Sequence, residues 1–311
     1  MISILMAAYN GEKYISRQIE SLLEQTYREF KIYIRDDRSS DNTYKILKEY
    51  AEKYPGFIFV EQNEENTGGT KKNFLGMMID HKNDYVMLCD QDDVWKPDKI
   101  EKSLKLIQEM EKEYGSSVPV LVHTDLTVVN NDLDVISSSY AKMSNKDFCK
   151  TSLNYVVALN NVGGCTAIYN RALADLFTAV PESLIMHDWW LSLTAAVYGK
   201  IVALKESTIL YRQHAGNEKG AKKVLSPSYI YYVLTNLKAM KNLVNESYTQ
   251  ANSFIHLFHA RLSEENLELL TAYASIPHLS RKKRLQTVFK YKTFMHGTAR
   301  KIMQIAFLLE K

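Results

Sequence analysis

Short apolar runs and stripes of helical period take turns along the first 115 residues. Ile2–Ala7 reads as a strand, and Ile15, Ile19, Leu22 and Leu23 then recur at helical spacing. Phe30–Arg35 predicts a second strand, followed by Asp41 as an N-cap and a stripe of Ile46, Leu47, Tyr50 and Tyr54. Phe57–Glu61 predicts a third strand, with a short helix through Phe74, Met77 and Met78 after it. Tyr85–Cys89 is a fourth, and Ile100, Leu104, Ile107, Met110 and Tyr114 mark the next helical face. Such alternation predicts a parallel sheet with helices on both faces. Val118–Leu210 mixes strands (Val118–His123, Thr166–Tyr169, Lys200–Leu204) with helices, one of which opens at His187. From Ser226 onward the pattern is helical. A boundary is therefore expected near residues 221–226, with a catalytic domain over 1–222 and a helical region over 223–311.

The polar sequences fall where such a fold places its chemistry. In parallel sheets, ligands bind beyond the carboxyl ends of the strands. The first strand runs into Ala8, Tyr9, Asn10 and Gly11, and the second into Asp36, Asp37, Arg38, Ser39, Ser40 and Asp41. The fourth runs into Asp90, Gln91, Asp92 and Asp93. Carboxylates crowded at one strand end repel each other, and a divalent cation with a taste for oxygen ligands, Mg²⁺ or Mn²⁺, relieves that repulsion. The alternative is a solvated acidic turn capping the helix from Pro97. Further on, His187–Asp188–Trp189–Trp190 opens a helix that Asp188 could simply cap.

Composition sets the frame. With 311 residues, 46% apolar and 24% charged, the chain can pack a sizeable core. It has no apolar run of the roughly 18 residues a membrane span needs, and it opens directly into Ile2–Met6 with no basic stretch before it. Cys89, Cys149 and Cys165 are too widely spaced for a disulfide framework or a zinc site. The expected compartment is cytoplasmic.

Charge changes the picture at one place. Between Arg281 and Lys311 lie nine basic residues against the single acid Glu310, a net of +8, so the other 280 residues carry −5. In the same segment Leu285, Val288, Phe289, Met295, Ala299, Ile302, Met303 and Ala306 recur at helical spacing. A basic amphipathic helix reads as a membrane-surface or partner-docking element, and homodimerisation through it is a compatible use. Nucleic acid is not an expected partner.

With AAYNG, RDDRSSDNT, CDQDDVW, HDWW and YRQH all in order, the chain resembles family 2 inverting glycosyltransferases of GT-A fold. The likeness is greatest to bacterial rhamnosyltransferases that build cell-wall and capsular polysaccharides. It covers residues 2–220 and continues more weakly into RKKRLQTVFKYK. The implied fold is α/β: a Rossmann-like, mostly parallel sheet with helices on both faces, plus a C-terminal helical extension. The resemblance implies that Ala7 and Tyr9 frame the nucleotide base and that Asp36 or Asp37 bonds its edge. Lys72 would lie near the nucleotide, and Asp90 and Asp92 would reach the ribose and the metal-bound diphosphate. Asp188 would be the general base, and His214 would complete the metal site or hold the diphosphate. Two departures stand out: Arg38 where the family commonly has Gly, which suggests a differently shaped turn, and Ala215–Gly216–Asn217–Glu218 after the YRQH loop.

The chemistry so implied makes three demands. The diphosphate's growing charge must be neutralised, which a bridging cation does. The acceptor hydroxyl must lose a proton to a positioned base. Oxocarbenium character must be tolerated by polar surroundings. Asp92 answers the first and Asp188 the second, and a lone base implies a single displacement with inversion. Trp189 and Trp190 are candidates for stacking on acceptor sugar rings, one of them more plausibly core. Tyr229, Tyr231 and Tyr232 read as packing, and His256 and His259 as surface. The expected reaction moves a sugar, first choice L-rhamnose from dTDP-rhamnose, onto a lipid-linked glycan at the inner face of the membrane, whose anionic surface would hold the enzyme. A UDP-hexose donor is the alternative, as is a nucleotide-sugar binder without turnover. A nucleotidyltransferase would carry a glycine-rich Arg/Lys loop after the first strand, where this chain has AAYNGEKY.

Overall fold

The computed structural model describes residues 1–214 and 235–310. Tyr229, Tyr231, Tyr232, Pro227 and the loop from Ala215 lie outside the described residues. Two compact units emerge. The first holds Met1–Tyr140, Val162–Val180 and the stretch from Tyr198 to the end of the last strand. The second holds Ala141–Asn161, Pro181–Val197 and the C-terminal helices. The inner stretches thus join the helical region rather than following a single cut of the chain.

The first unit is built on one sheet. Strands β1 (Ile2–Ala8), β2 (Phe30–Asp36), β3 (Ile58–Gln62) and β4 (Tyr85–Asp90) pair in parallel in the order β3-β2-β1-β4. All seven residues of β1 are buried, as expected of a strand covered on both faces, whereas β3 at the edge alternates. Helices α1 (Ile15–Leu23), α2 (Thr43–Lys53) and α3 (Thr70–Asp80) connect these strands, and α4 (Lys99–Tyr114) follows the last of them. On α1 the buried positions Ile15, Gln18, Ile19 and Leu22 recur three and four apart, the stripe that fixes it on the sheet. Each large apolar side chain buried there contributes about 1.5–3 kcal/mol.

Beyond β4 the sheet changes character. β5 (Val94–Trp95), β6 (Val120–Val129), β7 (Val135–Ser137), β8 (Ala167–Asn170) and β9 (Lys200–Arg212) extend it in the order β4-β8-β6-β9-β5, with β7 on β6. Here β6 and β9 are parallel, while β4–β8, β6–β8, β6–β7 and β5–β9 are antiparallel. The expected mostly parallel sheet is parallel only in its first half and at β6–β9. The parallel start of β6 and β9 needs a residue without a side chain: a Cβ on Gly199 would lie 1.8 Å from the carbonyl oxygen of Pro119.

The second unit is helical. Besides the short α5 (Tyr140–Met143, whose first residue belongs to the first unit) and α6 (Leu153–Val156), it contains α8 (His187–Tyr198), all but whose last residue lies here. The four-residue α7 (Arg171–Ala174) stays with the sheet. Then come α9 (Leu237–Phe258), α10 (Glu264–Ala274), α11 (Arg281–Tyr291) and α12 (Thr298–Leu309). Trp190, Phe254 and Phe258 stack with centroids 4.6–6.3 Å apart and form the aromatic heart of this unit. No described helix is long and apolar enough to cross a membrane.

Candidate active site

The loops after β1 and β2 are laced together by short polar side chains. Asn10 donates its backbone N–H to Ser39 Oγ (2.9 Å) and accepts from the Ser40 N–H through Oδ1 (2.8 Å). Gly11 N–H donates to Thr43 Oγ1 (2.7 Å), and Glu12 Oε2 accepts from the Asn42 backbone (3.0 Å). Both loops turn through left-handed residues, Asn10 at φ 47° and Arg38 at φ 64°. Arg38 therefore adopts a left-handed conformation that a glycine would take more readily. The strain of roughly 1 kcal/mol is carried where the loops tie each other down.

Asp36 and Asp37 end β2 with carboxylates already occupied. Asp36, fully buried, accepts from the Ser39 N–H (3.0 Å) and Gln62 Nε2 (2.8 Å). Asp37 accepts from Asn63 Nδ2 (2.7 Å) and from both the N–H and the hydroxyl of Thr67 (2.8 Å each). Their evident work is to shape the loop. Through Thr67, Asp37 anchors the Gly68–Gly69 turn that leads into α3, where exposed Lys72 stands in the first turn. Ala7 is buried in β1, so it can line a pocket mainly with its backbone, while Tyr9 is 49% exposed with its ring free to cover a base.

The fourth strand delivers Asp90, Gln91, Asp92 and Asp93 in four directions' worth of environment. Gln91, which sequence reasoning passed over, clamps the first loop: its Oε1 accepts from Tyr9 N–H (2.9 Å) and its Nε2 donates to Tyr9 O (2.8 Å). That clamp rests on Gly11, where a Cβ would lie 2.3 Å from Gln91 Oε1. Asp92 meets His214, 122 residues later, with Oδ2 2.7 Å from Nε2. The meeting is made by the sheet: Val94 and Trp95 pair with Leu210 and Ile209, which draws the end of β9 alongside the acidic loop. Arg212 then locks it, donating Nε to Asp92 O (2.9 Å) and its backbone N–H to Asp93 Oδ1 (3.1 Å).

Tyr14 is a second residue that the sequence did not flag. Its ring stacks on His214 (centroids 4.5 Å apart, 28° between planes) and carries the Arg212 guanidinium at 5.1 Å on its face. Its hydroxyl donates to Asn131 Oδ1 (2.9 Å). Its position six residues past β1 was the only signal available.

Asp93 turns inward. It is fully buried beside Cys165, and burial, reinforced by Asp92 and Asp90, pushes its carboxyl well above the usual range. Close by, burial pulls the Lys99 ammonium down to about 8, with the Trp95 ring 4.5 Å from its nitrogen. The acidic segment is thus not a solvated cap: α4 begins at Lys99 behind Asp98.

The HDWW segment belongs to the second unit. Asp188, half-buried in the first turn of α8, lies next to the expected acceptor-stacking pair. That expectation is corrected for both tryptophans. Trp189 is 3% exposed and spends its Nε1–H on Val156 O (2.7 Å), and Trp190 is 1% exposed among Phe254 and Phe258. Neither ring has a face left for a sugar, because both supply the apolar area that holds α8 in its unit.

Residues 3–177, more than half of the chain, match the family described as Glycosyl transferase family 2. The chain belongs to that family. It is a glycosyltransferase, and relatives and solved structures agree. It is 29% identical over 236 residues to the dTDP-rhamnosyl transferase RfbG of Shigella flexneri, covering 72% of this chain and 76% of that one. Its fold resembles that of S. aureus TarS 1–349 in complex with UDP-GlcNAc, with a TM-score of 0.57, 20% identity, and coverage of 93% of this chain and 80% of the other. It also resembles the mannosyltransferase PcManGT from Pyrobaculum calidifontis in complex with GDP-Man and Mn²⁺ (TM-score 0.56, 14% identity, coverage 99% and 84%).

For this glycosyltransferase two groups of side chains could meet a cation. Asp90, Asp93 and Cys165 bring ligand atoms within 4.8 Å of one another. Burial raises the Asp93 carboxyl and the Cys165 thiol, and a thiol is a poor partner for a hard ion. Asp92 and His214 offer a carboxylate oxygen and an imidazole nitrogen side by side and fit a divalent ion better.

Proposed function

We propose that the chain transfers a sugar from a nucleoside diphosphate to a hydroxyl of a lipid-linked glycan, in a single displacement that inverts the anomeric centre. The observation that carries this reading is the Asp92–His214 pair, held at the carboxyl end of β4 by Arg212 and by the β5–β9 pairing, with Asp92 inside the residues 3–177 that match family 2. Mg²⁺ or Mn²⁺ held by Asp92 and His214 would neutralise the departing diphosphate. Tyr9 covers the base, the Asp36 and Asp37 loops shape its pocket and are candidates for its edge, Lys72 lies toward the phosphates, and Asp90 faces the ribose. Asp188 takes the proton from the acceptor hydroxyl.

L-Rhamnose from a dTDP-linked donor is the first choice, supported by the 29% identity to RfbG; a UDP-hexose is the second. A binder without turnover is disfavoured by the retention of both Asp92 and Asp188. The domain border near residue 222 and a peripheral position on the inner face of the membrane complete the reading.

The test is release of nucleoside diphosphate from a panel of dTDP-, UDP- and GDP-sugars, with and without Mn²⁺. Turnover is expected with one nucleotide class, lost in chelator, and reduced about a thousandfold or more in Asp92→Ala. Full activity in excess chelator would overturn the metal's part in it.

A further inference from the structure

The basic C-terminal segment splits its apolar positions between two faces. Val288 and Met295 are buried, and so are Gln304, Phe307 and Leu308 on the inner side of α12. On the outer side of α12, Ala299, Ile302, Ala306 and Leu309 are exposed at spacings of three, four and three. Ile302 is 64% and Leu309 47% exposed. On α11, Lys282, Gln286 and Phe289 share an outward face, with Phe289 58% exposed. Phe294 joins the two helices: the Phe289 ring meets it edge-on at 5.0 Å, and Lys301 Nζ lies 4.1 Å over its face.

The cations divide in the same way. Arg284 is turned onto the carbonyls of Leu279 (2.9 Å) and Pro277 (3.1 Å), and Arg300 onto that of Ser144 (2.8 Å). Arg281, Lys282, Lys283 and Lys292 are exposed and have no acidic partner among the described residues. Three of these stand in the first turn of α11, which holds no acid, where the positive end of the helix dipole disfavours them. Folding gains nothing from that placement, so an anionic partner is the better account of it.

Resting on the peripheral position proposed above, we propose that the outward faces of α11 and α12 seat the enzyme on an anionic lipid bilayer, with Phe289, Ile302 and Leu309 entering the headgroup boundary and Arg281, Lys282, Lys283, Lys292 and Lys301 bound to the headgroups. An apolar strip edged by unpaired cations is the pattern of a helix lying in a membrane surface. A second copy is a poor occupant, because a two-fold contact would set the same cations against each other.

The test is flotation of the full chain with phosphatidylcholine vesicles, and with vesicles to which phosphatidylglycerol has been added. Wild type is expected to float only with the anionic vesicles. Lys282→Glu with Lys283→Glu, and separately Phe289→Asp with Ile302→Asp, should each cut that binding at least about tenfold. Circular dichroism and donor hydrolysis, unchanged in both variants, show that the fold and the site are intact. Equal binding to both lipids, no binding at low salt, or variants that float like wild type would overturn the proposal. So would a dimer in sedimentation that Phe289→Asp with Ile302→Asp converts to a monomer without changing flotation.

Discussion

In the first unit, charged side chains hold one another. Asp36 and Asp37 are bonded into their loop, Asp92 faces His214, and Arg212 braces the same segment. In the second unit, ion pairs such as Lys290–Glu268 are exposed, other cations of α11 face water, and some titratable side chains are shut in. His296 is the extreme: it is buried, neither ring nitrogen has a hydrogen-bond partner, and burial, with Lys146 and Arg300 adding to it, pulls its imidazole down to about 3. The first arrangement holds carboxylates in fixed directions, which chemistry at a strand edge requires. The second packs helices and leaves a surface for something else to meet. Asp188 lies in the second unit and is assigned a role of the first kind, so it is where the contrast is most exposed to test.

Replacing Asp188 by Asn should therefore have the largest effect: glycosyl transfer is expected to fall about a thousandfold or more, with the KM for donor within a few fold. Lost donor binding with residual turnover would return Asp188 to the role of a helix cap. Next is Asp37→Ala, which leaves the half-buried Thr67 and Asn63 donors unmet and should cost about 1–2 kcal/mol of stability in urea melts. An unchanged melt with a raised donor KM would instead make Asp37 a direct ligand.

His296 tests the second unit alone. Its folded pKa lies below the ordinary 6.5, so the unfolded chain takes up a proton first as the pH falls. The stability it supports is present above about pH 6.5 and is lost toward pH 3, by about 2 kcal/mol between pH 7 and 5. His296→Leu should flatten that part of the stability–pH curve. The smallest effect is expected at Tyr14. Tyr14→Leu should weaken Mn²⁺ binding about tenfold by calorimetry, while Tyr14→Phe, which keeps the stacked ring, should stay within about twofold. Equal losses in both would place the effect in the hydroxyl bond to Asn131.

What the sequence determined by itself is the parallel half of the sheet and its polar edge. Strands β1 and β4 are continuous apolar runs, α1 and α4 carry clear stripes, and the loops rich in Asp and Asn follow directly, so period and position sufficed. The far ends of β6 and β9 were illegible for a physical reason. Thr124, Asp125, Thr127 and Ser207 are polar and lie beyond the expected strand ends at His123 and Leu204, yet the two strands lie side by side and satisfy their hydroxyls in pairs, Thr124 with Thr208 and Thr127 with Ser207, at 2.7 Å each. The pairing of β9 with β5 in turn brings His214 to Asp92 and gives Tyr14 its stack. The tryptophans were decided in the same way: an aromatic ring suits a sugar or a core equally well in sequence, and only the packing of α8 against α9 settled both as core. Local periodicity is written along the chain, whereas desolvation and pairing across more than a hundred residues exist only once the chain has folded.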